Sequence, residues 1–310
     1  MGSTTNKLSS YILMEASSNR VLEGNNIDEA MLVASTAKIM TAIVCIENYD
    51  IFEYINFTSL DCNITGSKIY LEVDDSLQRI DLLYGLMLRS GNDAASALSN
   101  NDDYGFIYLM NEYAKKIGMS NSYFVNSTGL DELTYNKSSA YDMALLMIYA
   151  MKNDTFRKIA SSKNYSCTSS NGKYYYFNNK HKLITSNDVL AGKTGYTLNS
   201  KRVLVSYFQR HNTEFVIVTI NDSSDWKTHK DLILKTDDYN YQVICKAGLY
   251  KTNFDVDFYM FVPINIILPI KNNEKKIEVE FKVTDYNVYL YSYISDTLVS
   301  KTKILTSAIG

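Results

Sequence analysis

Cysteine is scarce and scattered. The four thiols, Cys45, Cys62, Cys167 and Cys245, show none of the short paired spacings that zinc sites or dithiol redox centres need. The three histidines, His181, His211 and His229, add no ligand pattern, so neither a metal nor another cofactor is expected. No apolar run reaches the roughly 18 residues needed to span a membrane. Basic clusters interleaved with aromatics are missing too, and with a net charge of −3 the chain is not expected to bind nucleic acid. The only two prolines, Pro263 and Pro269, fall in the last segment, and there is no internal repeat or low-complexity tract.

What is present is a globular chain. Of its 310 residues 46% are hydrophobic and 21% charged, enough for a substantial core and for one large domain with a smaller one beside it. The 26 tyrosines are a compositional bias and carry no functional weight. Met1-Gly2-Ser3 resembles a cloning remnant, so a signal peptide and any membrane anchor are expected to lie outside this chain.

The chemistry begins at Leu32 to Thr41. From Ala34 to Glu47 there is no Gly or Pro, and the Ala, Ile, Met and Val content predicts a buried helix with Ser35 in its first turn. Residues at i and i+3 share a helical face, so the Lys38 amine can reach the Ser35 hydroxyl. A serine is a poor nucleophile until a base takes its proton, and a lysine is such a base only when burial or another cation lowers its pKa. Alone, the pair is equally a helix cap with a lysine in the next turn.

Around this pair the pattern predicts an α+β fold, an antiparallel sheet flanked by helices. Tyr11–Glu15 and Arg20–Glu23, joined by Ser17-Ser18-Asn19, read as a hairpin. Residues 50–78 are expected to be irregular, with a short strand at Ser67–Leu71. A buried helix over Ile80–Arg89 should stop at the tight turn Ser90-Gly91-Asn92, with Asp93 capping a helix over Ala94–Leu98. Helices are expected at Phe106–Ile117 and Tyr141–Met151, with a loop over Ser120–Ser139 between them. Ala191–Thr197, Val203–Phe208 and Glu214–Ile220 read as strands that join the first hairpin in one sheet, followed by a helix near His229–Thr236. Beyond Tyr250 the alternation is all β, which divides the chain into a domain over 1–249 and a small C-terminal β-domain over 250–310.

Three local patterns stand in a fixed order: Ser35-x-x-Lys38, Ser90-x-Asn92 and Lys193-Thr194-Gly195. Each alone is weak, but the ordered trio resembles that of the penicillin-recognising serine enzymes. With the flanking runs Asp81 to Ala95, Asn126 with Gly129-Leu130, Ser139 to Ala144 and Gly192 to Thr197, the chain closely resembles the low-molecular-mass penicillin-binding proteins, bacterial D-alanyl-D-alanine carboxypeptidases. The resemblance spans roughly residues 11–245.

That resemblance implies a cell-wall hydrolase of the bacterial envelope, outside the cytoplasm. Its substrate would be a peptidoglycan stem peptide, and β-lactams would acylate it. By analogy Ser35 is the nucleophile and Lys38 its base, with Lys193 depressing the Lys38 pKa by repulsion. Ser90 relays a proton to the leaving amine and Asn92 holds Lys38 and the substrate. Lys193 and Thr194 take the terminal carboxylate, Gly195 leaves room at the strand edge, and the Ser35 and Tyr196 N–H groups form the oxyanion hole. Three positions depart from the family: Ala37 replaces a usual threonine, Asn136 a histidine, and Lys227 is what remains where a carboxylate-binding arginine is expected. Two alternatives stay open: a serine β-lactamase, whose deacylating glutamate could only be Glu132 in the loop to Asn136, and a non-catalytic wall-binding homologue.

Overall fold

The computed structural model describes residues 9–99, 103–131, 135–186, 188–251, 259–274, 276–284 and 287–307. Glu132 lies outside the described residues. The fold combines helices with antiparallel sheet, as the patterning predicts. The two N-terminal strands are Ser10–Glu15 and Val21–Asn25, and the later ones are Ala191–Thr197, Lys201–Arg210 and Thr213–Ile220. They form one sheet in which Val21–Asn25 and Ala191–Thr197 are the edges. Apolar side chains fill its central strands; Ile12, Leu13, Val205, Val216 and Ile217 have no exposed surface. His211 and Asn212, both at positive φ, turn the chain between the last two strands, a conformation asparagine tolerates well.

The chain divides into two compact units. One comprises residues 1–12, 25–208 and 217–229; the other 13–24, 209–216 and 230–310. In the first, the buried helix after Ser35 opens as a 3₁₀ turn, Ala34–Ala37, and becomes α-helical over Lys38–Asn48. The helix expected at Ile80–Arg89 starts at Arg79 and ends in a π-helical turn, Gly85–Arg89, and the next helix runs Asn92–Ser99.

Three expectations need correction. Residues 50–78 are not simply irregular: Ser59–Asn63 is a short helix, and Tyr54–Asn56 pairs with Ser76–Gln78. Ser67–Leu71 forms no strand: the Ile69, Tyr70 and Leu71 N–H groups donate to the fully buried Asp93 carboxylate at 2.8–3.3 Å, so their donors are spent on a side chain rather than a ladder. The helix expected near His229 begins earlier, at Asp225, whose carboxylate accepts from the Trp226 N–H in the first turn. Unanticipated were a helix at Asp154–Ser161 and a hairpin of Asn164–Thr168 with Tyr174–Asn178.

In the second unit, Tyr239–Cys245 pairs with Ile266–Lys271, and a separate five-stranded sheet runs Gly248–Lys251, Tyr259–Val262, Thr297–Ser307, Asn287–Ile294, Ile277–Thr284. Asn287–Ile294 alternates strictly: Val288, Leu290 and Ile294 are buried, while Tyr289 and Tyr291 take the other face beneath the Lys301 and Lys282 ammoniums. The turn at Ser17–Ser18 is also part of this unit. Glu15 is buried and accepts from the N–H and hydroxyl groups of both serines, and Arg20 donates to Glu274 at 2.6 Å and to the Pro269 carbonyl. All four cysteines are free.

Candidate active site

Ser35 sits in the 3₁₀ turn and Lys38 opens the α-helix, so a change of helix type places the serine at the rim and the lysine inside. The residue before the serine, Ala34, has φ +46°, a left-handed conformation that costs a non-glycine residue about 1–2 kcal/mol. Ser90, which ends the π turn, is likewise left-handed at φ +64°. Both motif serines thus stand at backbone positions that only surrounding packing sustains. Part of that packing is the Asn126–Leu130 loop: a Cβ on Gly129, itself at φ +79°, would meet the Ala34 carbonyl oxygen at 2.1 Å. Asn136 holds this loop, accepting from the Val125 and Asn126 N–H groups at 2.8 and 3.1 Å.

The first two patterns meet at the Lys38 ammonium. Nζ lies 3.1 Å from Ser35 Oγ and 2.7 Å from Asn92 Oδ1, and it also donates to the Thr128 carbonyl. The Asn92 amide is oriented from behind, Nδ2 donating to Thr65 O at 2.7 Å. The third pattern faces the second: Lys193 Nζ is 2.8 Å from Ser90 Oγ and 2.9 Å from its neighbour's carbonyl, Thr194 O. Gly195 carries the edge strand past the serine, where a Cβ would sit 3.2 Å from the Ser35 nitrogen. The Tyr196 side chain is exposed and adds little to this packing.

Both lysines are buried, and among the described residues neither has a carboxylate within ion-pair distance. Burial lowers the Lys38 pKa to about 7, with Lys180 adding repulsion and Asp93 opposing it. Lys193 is held well below its ordinary value by burial first, then by repulsion from Lys38 and Lys180. Desolvation is the main cause of the Lys38 shift, and the cations that repel one another here are Lys38, Lys180 and Lys193, where the resemblance named Lys193 alone.

Behind Lys193 runs a buried polar chain that sequence reasoning did not assemble. Ser206 Oγ lies 3.1 Å from His181 Nε2 and 2.8 Å from His229 Nδ1, and His229 Nε2 lies 3.1 Å from Thr219 Oγ1. Burial pushes His181 down to about 3, so both rings are neutral spacers rather than acids at neutral pH. No spacing rule links residues 181, 206 and 229.

An open cleft of about 360 Å³ adjoins these groups, lined by Ser35, Ser90, Thr194, Gly195 and Tyr196 and, beyond them, by Lys180, Lys182, Arg202 and Trp226. Lys227 is exposed on the Asp225–Lys235 helix and does not line it. Arg202 does, its Nε and Nη2 both 2.9 Å from the Asp225 carboxylate. The signal for Arg202 was its register opposite Tyr196 on the neighbouring strand, which only the pairing reveals.

Serine against a buried amine, an amide side chain and a backbone carbonyl on that amine and an edge strand alongside make an acyl-transfer arrangement, and the fold agrees. The chain superposes on a D-alanyl-D-alanine carboxypeptidase from Mycobacterium tuberculosis H37Rv with TM-score 0.71 and 25% identity, covering 74% of this chain and 91% of that one. Streptomyces K15 DD-transpeptidase gives TM-score 0.68 and 26% identity over 73% of this chain and 94% of that one. These are penicillin-recognising folds. The chain belongs to the D-alanyl-D-alanine carboxypeptidase family, whose model matches residues 3–224. Among curated relatives it is 28% identical over 253 residues to D-alanyl-D-alanine carboxypeptidase DacF of Bacillus subtilis, covering 79% of this chain and 64% of that protein. It is 31% identical over 227 residues to a D-alanyl-D-alanine endopeptidase of Haemophilus influenzae, covering 69% of this chain and 76% of that one.

Proposed function

We propose that this chain is a serine D-alanyl-D-alanine carboxypeptidase that removes the terminal D-alanine from peptidoglycan stem peptides through an acyl-enzyme, and that β-lactams trap it at that stage. The carrying observation is Lys38, a buried amine 3.1 Å from Ser35 Oγ with a pKa of about 7, which leaves a large neutral fraction able to take a proton. Ser35 Oγ attacks the carbonyl of the penultimate D-alanine as its proton passes to Lys38. The oxyanion is met by the Ser35 and Tyr196 N–H groups, each such donor typically worth about 10²–10³ in rate. Collapse breaks the C–N bond, and the departing amine receives its proton through Ser90. Water then cleaves the ester and returns the proton to Ser35.

Asn92 orients Lys38 and the substrate backbone, Lys193 and Thr194 bind the terminal carboxylate, and Gly195 lets the peptide lie along the strand edge. Lys227 is exposed and does not line the cleft, whereas Arg202 does, which favours Arg202 as the arginine of this subsite. We assign acyl transfer to residues 1–249 and treat 250–310 as a separate β-region, at work in the bacterial cell envelope. No helix among the described residues is long and apolar enough to cross a membrane.

The test is release of D-alanine from a peptide ending D-Ala-D-Ala, by the parent and by Ser35→Ala. Release by the parent alone supports the reading. Rapid hydrolysis of a cephalosporin with no D-alanine released would favour a β-lactamase, and neither activity in folded protein a non-catalytic homologue.

A further inference from the structure

The cleft does not end where a terminal D-alanine would. Ser35, Ser90 and Thr194 line it, and so do Ser67, Lys180, Lys182 and Trp226. On the proposed function, Ser90 serves the leaving amine and Thr194 the carboxylate beside it, so the leaving group shares its cleft with these cations. At about 360 Å³ the cleft falls in the ~300–1,000 Å³ range of whole small-molecule sites, more than a lone alanine needs.

Its charge is one-sided. The cations lining it are Lys180, Lys182 and Arg202, against the single acid Asp225. Arg202 pairs with that acid through two contacts of 2.9 Å and is already assigned to the carboxylate beside the scissile bond. The other two are uncompensated: Lys180 Nζ donates to a neutral partner, Ser67 Oγ, at 3.1 Å, and Lys182 Nζ stands 6.0 Å from the Trp226 ring centroid. Among the described residues no carboxylate lies within ion-pair distance of either. Two such ammoniums facing one cleft focus a field that favours an anion.

We propose that the leaving-group side of the cleft takes an acidic D-residue, with Lys180 and Lys182 pairing a second carboxylate beyond the one beside the scissile bond. The enzyme then prefers stem peptides whose leaving amino acid, free or still linked to a neighbouring strand, carries an additional free acid. This rests on the carboxypeptidase reading and narrows its substrate class.

The experiment compares kcat/KM for three peptides identical up to the penultimate D-alanine and ending in D-Ala, D-Glu or D-Gln. D-Glu and D-Gln match in size and differ in charge. The parent should cleave the D-Glu peptide about fivefold to tenfold faster than the D-Gln peptide, as one partly screened carboxylate pairing with two ammoniums allows. The ratio should fall to near one in Lys180→Gln/Lys182→Gln and to an intermediate value in Lys182→Gln. Because the ratio is taken within each variant, altered folding or a changed Lys38 proton affinity cancels. A parent ratio at or below one, or a ratio kept by the double variant, overturns the proposal while D-Ala release leaves the carboxypeptidase reading standing. Release from none of the three peptides overturns both.

Discussion

Two regions of this molecule bury charge, and they do it in opposite ways. Around the Ser17–Ser18 turn, the buried charged groups have strong partners: Glu15 accepts four hydrogen bonds from two serines, and Arg20 pairs with Glu274 and a carbonyl. Around Ser35, two lysines are buried with hydroxyls, an amide and carbonyls for company and, among the described residues, no acid in ion-pair contact. In the first arrangement the serine hydrogen bonds offset part of the burial that raises the Glu15 pKa, and the contacts hold strands together. The second makes the ionised state costly, which is what a lysine base needs and what stability alone would not select.

The sharpest way to break the comparison is at the reacting groups. Ser35→Ala and Lys38→Ala should each lower acylation by a benzylpenicillin probe at least about 10³-fold, read by intact-protein mass, because members of one nucleophile–base unit fail together. Arg20→Ala should leave Glu274 without its partner and cost about 3–5 kcal/mol in denaturant unfolding.

Lys38→Met should do the reverse and stabilise an inactive protein. The unfolded chain holds the lysine proton up to pH 10.5 and the folded chain releases it above about 7. Between these values the unfolded state binds more protons, so stability rises with pH. The penalty from Lys38 is thus largest below pH 7, and Lys38→Met should gain about 2–4 kcal/mol there, the gain shrinking toward pH 10.5. In the parent, the same titration should make acylation climb as pH rises through about 7.

Smaller effects sharpen the account. Gly129→Ala should slow acylation about tenfold or more by pushing on the Ala34 carbonyl, with penicillin acylation as the readout. Tyr196→Ala should change it less than about threefold, since only the backbone N–H of this exposed residue is assigned a role.

The contrast also separates what the sequence makes legible. Ser35 and Lys38 are three residues apart, Ser90 and Asn92 two, and Lys193 to Gly195 contiguous, so each pattern is local and survives in one dimension. The sheet was legible for the same reason, because short apolar runs at Tyr11–Glu15, Val203–Phe208 and Glu214–Ile220 are bounded by turn residues such as Ser17-Ser18-Asn19 and His211-Asn212-Thr213. What escaped is long-range and made by side chain to backbone contact. Asp93 holds Ile69 to Leu71 from 22–24 residues away, and Thr128 O reaches Lys38 across 90. Such bonds leave no periodic trace, and Asp93 could be read only as a cap. Lys180 and Arg202 escaped because their neighbours in the cleft come from other elements.

The measurement that tests the central claim most directly is the pH dependence of Ser35 acylation, followed as penicillin adduct mass on the parent with Ser35→Ala as the blank. The account predicts one adduct per chain, none on the variant, and a rate that rises with an apparent pKa near 7, the value for a buried Lys38 with no acid in contact. A folded parent that neither gains the adduct nor hydrolyses the drug, or a rate still climbing toward the ordinary lysine range near 10.5, would contradict it.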